Sequence, residues 1–203
     1  MTNKDKNNQT ILTYQSNFDK YVERTPKEIG EEFKIWMDHF LQKLPRAGKI
    51  FEVGSASGRD ARYFDGKGFK VLCTDVIPQA LSKLSQEGFE TAQYDFRDKP
   101  HKEWQGQFDG FFANAVLLHA SEKMFVRALR NLLEILKPNG IGAFSLKSGE
   151  GEEMTEEKMD APRFFKYYSL EELKEILAKY PVEIVSLSTA DDGKWLHVIF
   201  RKM

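Results

Sequence analysis

The hydrophobic period of the chain changes near residue 49 and again near residue 169. Before the first change, Phe33, Trp36, Met37, Phe40, Leu41 and Leu44 recur at three- and four-residue steps, the apolar stripe of an amphipathic helix. Thr25-Pro26-Lys27-Glu28 predicts its start, with Thr25 as cap, proline in the first turn and Glu28 closing a capping box. Pro45 ends it.

From residue 49 the runs shorten and become rich in β-branched and aromatic residues. Residues 49–53, 70–74, 90–94, 108–113 and 141–146 predict strands. Helical patterns over 59–66, 78–86 and 121–136 separate most of them. The last places Phe125, Leu129, Leu132, Leu133 and Leu136 on one side and stops at Pro138-Asn139-Gly140. The link 97–107 is too polar and short for a helix. Strands alternating with helices predict a parallel sheet covered on both faces, with right-handed crossovers.

Past residue 169 the order reverses. Ser169-Leu170-Glu171-Glu172 is a second capping box, opening a helix to about Lys179. Residues 182–189 and 195–201 read as strands joined by Ala190-Asp191-Asp192-Gly193, a hairpin turn. The expected fold is α/β, a mostly parallel sheet closed by an antiparallel pair.

Length and charge narrow the classes. The 203 residues suit a single domain, 1–203, with a hydrophobic fraction of 41% for its core. Residues 1–10 are polar and expected to be disordered. Lys plus Arg (30) balances Asp plus Glu (31), so a net charge of -1 gives no overall attraction to nucleic acid or to an anionic membrane. The lone Cys73 excludes an intrachain disulfide and reads as core; the scattered His39, His101, His119 and His197 have no metal-ligand spacing. No apolar run is long enough to span a bilayer, and MTNKDKNNQT lacks the apolar core of a signal peptide. The expectation is a cytoplasmic protein with no membrane partner and no metal.

The chemistry concentrates at strand ends. Glu52, Asp75 and Asp95 fall at the carboxyl ends of the first three predicted strands, where open α/β sheets bind ligands. An acid after the second strand is placed to accept from ribose hydroxyls, and one after the third can take an exocyclic amine. A dinucleotide fingerprint started at Gly54 needs glycines at 56 and 59, but Ala56 and Arg59 stand there. Asp60 adds a negative charge to the helix start, which suits a cationic ligand better than a pyrophosphate.

FEVGSASGRDARYF resembles the first motif, E/D-x-G-x-G-x-G, of the class I S-adenosylmethionine-dependent methyltransferases, with Glu52, Gly54 and Gly58 matching and Ala56 replacing the middle glycine. VLCTDVIPQAL, AQYDFRD, FDGFFANAVLLHA and LLEILKPNGIGAFSLK resemble the later motifs in the same order, and the likeness spans residues 14–202. TYQSNFDKYVERT, RFFKYYSLEEL and WLHVIFRK are similar to segments of the small bacterial tellurite-resistance and ubiquinone-type groups. The resemblance implies a Rossmann-like sheet of order 3-2-1-4-5-7-6 with strand 7 antiparallel, an N-terminal lid and helix over 14–45, and S-adenosylmethionine as cofactor, released as S-adenosylhomocysteine. Its implied cofactor contacts are Tyr14, Tyr21 and Arg24 from the lid; Glu52, Gly54, Ser55, Ala56, Ser57, Gly58, Arg59 and Asp60 from the loop; Asp75, Val76 and Ile77; Asp95 and Phe96; and Asn114, Ala115 and Leu118.

The expected reaction is methyl transfer to a small-molecule acceptor, which asks mainly for alignment of donor and acceptor. His119 is the one histidine at the carboxyl edge of the sheet and the candidate base. Residues 148–168 read as an insertion over the acceptor site. Its acids Glu150, Glu152, Glu153, Glu156, Glu157 and Asp160 fit a solvated insertion or, alternatively, a mobile lid favouring a small amine or cationic acceptor, with Lys147, Arg163, Tyr167 and Trp195 at the same mouth. Three alternatives stand beside this reading. One is an RNA or protein methyltransferase, although Asn114-Ala115-Val116-Leu117 replaces the N-P-P-Y motif of base amino-methylation. The others are a non-catalytic S-adenosylmethionine-binding module and a nicotinamide-dependent oxidoreductase. The sequence leaves the oligomeric state open.

Overall fold

A computed structural model describes residues 3–203, with side chains from residue 6 onward. Five strands run parallel in the order β3 (Glu90–Gln93), β2 (Lys70–Asp75), β1 (Lys49–Val53), β4 (Phe108–Ala113) and β5 (Leu136–Ser148). Next to β5 lies antiparallel β9 (Trp195–Lys202), and β8 (Val182–Ala190) pairs antiparallel with β9. Numbered by the strands the sequence predicts, this is the expected 3-2-1-4-5-7-6.

Two further strands bring the sheet to nine. They come from the segment expected as an insertion: β6 (Glu152–Thr155) and β7 (Arg163–Tyr168) form an antiparallel hairpin. Lys147 pairs with Trp195 of β9 on one edge of β5 and with Tyr167 of β7 on the other. The hairpin therefore takes the edge that β4 leaves free beyond Ala113, which pairs with Phe144. It stands directly over the carboxyl end of the sheet.

Helices cover both faces, so the central strands are buried on both sides and read as continuous apolar runs. Phe51, Val53, Phe111 and Phe144 face the layer containing α6 (Glu122–Ile135) and α7 (Leu170–Leu177). Ile50, Cys73, Phe112 and Ala143 face α3 (Glu31–Leu41) and α4 (Arg59–Gly66), with Leu84 of α5 (Pro78–Gln86). Each fully buried phenylalanine contributes about 1.5–3 kcal/mol. Ser169 caps α7 as the sequence predicts, accepting from Glu172 N at 3.1 Å.

Three elements differ from expectation. The polar opening is helical from Asn3: α1 (Asn3–Ser16) docks by polar groups rather than an apolar stripe. Thr10 Oγ1 accepts from Phe164 N at 2.8 Å, Thr13 Oγ1 donates to Pro162 O at 2.7 Å, and Asn7 bonds to His119 O. The capping box at Thr25 does not form. Its hydroxyl donates to Tyr21 O at 2.6 Å, beyond α2 (Phe18–Glu23), and α3 starts at Glu31 behind Gly30. Leu136 begins β5 instead of ending the preceding helix, pairing with Phe108 before the turn at Asn139, whose φ is 63°. The link 97–107 holds a single 3-10 turn, Lys102–Trp104. No helix among the described residues is long and apolar enough to cross a membrane.

Candidate active site

The loop after β1 is held by backbone geometry. Gly54 N and Ser55 N both donate to Thr74 O, at 2.8 and 2.9 Å, and Gly58 N donates to Ser55 O at 2.7 Å. Gly54 (φ 71°) and Gly58 (φ 76°) are left-handed, and a Cβ on them would lie 2.4 Å from Val116 and 2.2 Å from Leu84. Glycine is thus required twice, by conformation and by space. Ala56 shares the left-handed region at φ 48°, a strain of about 1–2 kcal/mol. Its N–H donates to Asp75 Oδ2 at 2.9 Å.

Asp75 closes the turn after β2. Its Oδ1 accepts from Ile77 N at 2.9 Å. Burial raises its pKa although these backbone bonds pull the other way. Asp95 sits just beyond β3 and is gripped by Arg97, whose Nε lies 2.9 and 2.8 Å from its two oxygens. Behind the loop, Asp60 accepts from Arg59 Nε (2.7 Å) and Asn114 Nδ2 (2.9 Å), and Ser145 Oγ donates to Asn114 Oδ1 at 2.7 Å. Glu52 is only 3% exposed, and its Oε2 has no protein partner among the described residues. Burial, reinforced by Asp60 and Asp75, pushes its carboxyl up to about 8.

Two cavities meet at this edge. The inner one has about 800 Å³ of space including its opening to solvent and is walled by Gly54, Ala56, Asp75, Val76 and Ile77, by Asp95 and Phe96, and by Asn114 and Ala115. Tyr14 and Tyr21 cover it from the lid. The outer one is a wide cleft, about 2170 Å³ including its open mouth, and it collects Lys147, Arg163, Tyr167 and Trp195 with Leu118 and Arg59. Tyr14, Tyr21, Asn114, Ala115 and His119 belong to both walls, so the cavities share one boundary.

Other expected contacts lie outside the inner wall. Glu52, Ser55, Ser57, Gly58 and Asp60 are not on that wall, and Arg24 turns outward to Lys158 O and Asp160. Sequence reasoning missed Asn7 and Thr10 on the inner wall, because residues 1–10 were read as disordered, and it missed Ile11, Phe18, Val53, Tyr94, Arg97 and Val116 as well. It also passed over His197, which is buried on β9, stacked on Trp36 at 4.3 Å and open to the outer cleft. Alternation along β9 places that side chain, but nothing in the local pattern distinguishes it from core.

His119 is fixed at both ring nitrogens. Nδ1 is 2.7 Å from Phe164 O and Nε2 is 3.0 Å from the Tyr14 hydroxyl. A carbonyl only accepts, so Nδ1 carries the proton and Nε2 accepts from Tyr14. Burial lowers its pKa to about 4 and keeps the ring neutral. The Tyr14 oxygen accepts in turn from Arg163 Nη1 at 3.0 Å. Arg163, Tyr14, His119 and Phe164 thus form one directed chain, tying α1 and β7 to the turn after β4.

The acids of the insertion do not line the inner part of the cleft. Glu150, Glu152, Glu153, Glu156, Glu157 and Asp160 are all exposed. Glu152 pairs with Lys6, Asp160 with Lys20, and Glu153 accepts from Tyr167. Of these acids only Glu157 borders the outer cleft, and all six are solvated, as a solvated insertion would have them.

The inner cavity suits an adenosyl ligand. Asp75 and Asp95 lie on one wall, with Ile77 and Phe96 beside them for a planar base. The chain's residues 51–141 match a family described as "Methyltransferase domain". No curated protein matches by sequence. Among solved structures, the chain is similar to the 1,6-didemethyltoxoflavin-N1-methyltransferase of Burkholderia thailandensis, solved with 1,6-didemethyltoxoflavin and S-adenosylhomocysteine bound: TM-score 0.74, 18% identity, 97% of this chain and 87% of that one. A SAM-dependent methyltransferase of Methanosarcina mazei matches with TM-score 0.69 and 15% identity over 81% of this chain and 97% of that one. An S-adenosylmethionine-dependent methyltransferase of Mesorhizobium loti gives 0.64 and 16% over 81% and 96%. At such identities the structural likeness is one of fold, but the family match covers the loop, Asp75 and Asp95 together. The chain thus carries a methyltransferase-domain match over residues 51–141 and shares its fold with S-adenosylmethionine-dependent methyltransferases.

Proposed function

We propose that the enzyme transfers a methyl group from S-adenosylmethionine, held in the inner cavity, to a small molecule held in the outer cleft. The observation that carries this is the shared boundary: Tyr14, Asn114, Ala115 and His119 face both spaces. When bound, S-adenosylmethionine supplies a methyl group on a positively charged sulfur.

The residues divide the work by position. Asp75 and Asp95 accept hydrogen bonds from the nucleoside, with Val76, Ile77 and Phe96 packing beside it. The loop from Gly54 to Gly58 sets how closely the chain approaches. Tyr14 and Tyr21 close the lid and exclude water. Asn114 is oriented by Ser145 and Asp60 and positions the groups at the boundary. Alignment at that boundary is the main contribution to rate, and effective molarities of about 10⁵–10⁸ M are available from it. His119 cannot act as a direct base while Tyr14 occupies Nε2. It acts through the Tyr14 hydroxyl, whose proton it can accept when an acceptor proton must leave. The small-molecule reading rests on the net charge of -1 and on the walls that the hairpin's Arg163, Phe165 and Tyr167 give the cleft opposite Phe33 and Trp195.

The test is incubation with S-adenosylmethionine carrying an isotopically labelled methyl group and a fractionated small-molecule extract, followed by mass spectrometry. The label is expected in a small-molecule fraction. Label recovered in RNA or protein, and in no small molecule, overturns the reading.

A further inference from the structure

Of the cations lining the outer cleft, Arg59 pairs with Asp60, whereas Arg163 and Lys147 form no ion pair among the described residues. Arg163 is 5% exposed. Its Nη1 donates to Tyr14, its Nη2 donates to Glu157 O, and its Nε has no acceptor among the described residues. None of these partners is a carboxylate. The guanidinium carbon lies 4.9 Å from the Phe165 ring centre, which helps hold the cation but does not neutralise it. Lys147, half-buried at the end of β5, has its Nζ 4.2 Å from the Trp195 ring centre and forms no ion pair among the described residues. Burial holds its pKa below the usual lysine value. The acids bordering the cleft, Glu28, Glu31, Glu32, Glu157 and Asp191, are all exposed.

Buried charges ordinarily carry a partner, because removing an ion from water is costly without one. Two cations lining one cleft, with aromatic walls from Phe33, Phe165, Tyr167 and Trp195, lack theirs. We infer that the partner is the acceptor: a planar or aromatic molecule bearing a carboxylate or equivalent oxyanion, held by Arg163 and Lys147. This rests on the outer cleft being the acceptor site. Arg163 keeps one further N–H on each Nη for a charge-assisted bond to an anion, and Lys147 adds a point charge across the mouth. An anion on Arg163 would also tighten the chain through Tyr14 to His119, linking acceptor binding to lid closure.

The experiment titrates the protein, saturated with S-adenosylhomocysteine, with matched pairs of probes: benzoate, 4-hydroxybenzoate and indole-3-acetate, each against its carboxamide. At least one acid is expected to bind at least tenfold more tightly than its amide. Lys147→Gln and Arg163→Gln should each erase that preference, and Arg163→Lys should retain part of it. Lys147 lies outside the inner cavity, so Lys147→Gln should keep S-adenosylhomocysteine affinity within twofold, which separates anion binding from misfolding. If no acid outbinds its amide, or if Lys147→Gln leaves the preference intact, the inference is overturned. Failure of S-adenosylhomocysteine to bind at all would instead sink the proposed reaction.

Discussion

The Tyr14 hydroxyl lies 3.0 Å from His119 Nε2, joining a lid helix to the turn that follows β4. Both residues line the inner cavity, so the bond closes its lid alongside the packing of Ile11 and Phe18 on Ile77. Tyr14→Phe leaves His119 Nε2 without its donor and Arg163 Nη1 without its acceptor. The loss should be about 1–3 kcal/mol, read by urea denaturation, with several-fold weaker S-adenosylhomocysteine binding. Unchanged stability and affinity would show that the pair does not hold the lid.

The ligand-free protein should lose stability between pH 6.5 and 8. Burial raises Glu52 from 4.5 to about 8, so the native state keeps a proton that the unfolded chain releases. That contribution is full below the unfolded value and is lost as pH rises through the folded one. His119 and His197 run the other way: burial lowers both from 6.5 to about 4, so their stabilising contribution is present above 6.5 and lost as pH falls to 4. Above 6.5 only Glu52 of the three still acts. Glu52→Gln should flatten that limb, as followed by denaturant midpoint against pH.

The loop separates two kinds of small residue. Ala56→Gly relieves the left-handed strain and should raise stability by about 0.5–1 kcal/mol. Gly54→Ala brings a Cβ to 2.4 Å from Val116 at φ 71° and should cost about 1–3 kcal/mol. Thermal melts of both variants check the pair of signs.

Thr10→Val removes the acceptor for Phe164 N. The orphaned amide should cost about 1–3 kcal/mol of local stability, seen as faster hydrogen exchange across α1 and β7 while β1 and β4 keep their protection. Equal protection in α1 would contradict polar docking.

The reasons for these successes and misses are physical. Strands β1, β2 and β4 were legible because burial on both faces forces continuous apolar runs, and the acids Glu52 and Asp75 interrupt those runs at the ends. The closing hairpin was legible from Asp191-Asp192-Gly193. Helix α1 was not, because Asn7, Thr10 and Thr13 dock by hydrogen bonds to backbone far along the chain, and periodicity records only apolar faces. The start of α3 was misplaced because Thr25 spends its hydroxyl on Tyr21. The β6–β7 hairpin hid behind its solvated acids, and with it the inward turn of Arg163.

The central claim is that Asp75 anchors the adenosyl ligand in the inner cavity. Calorimetric titration of S-adenosylhomocysteine against the wild type and Asp75→Ala tests it most directly, with NAD as the rival ligand. Binding by the wild type is expected, weakened roughly 10- to 100-fold in the variant as a charge-assisted hydrogen bond is lost, with no heat from NAD. Equal affinity in the two proteins, or NAD binding in place of S-adenosylhomocysteine, would contradict it.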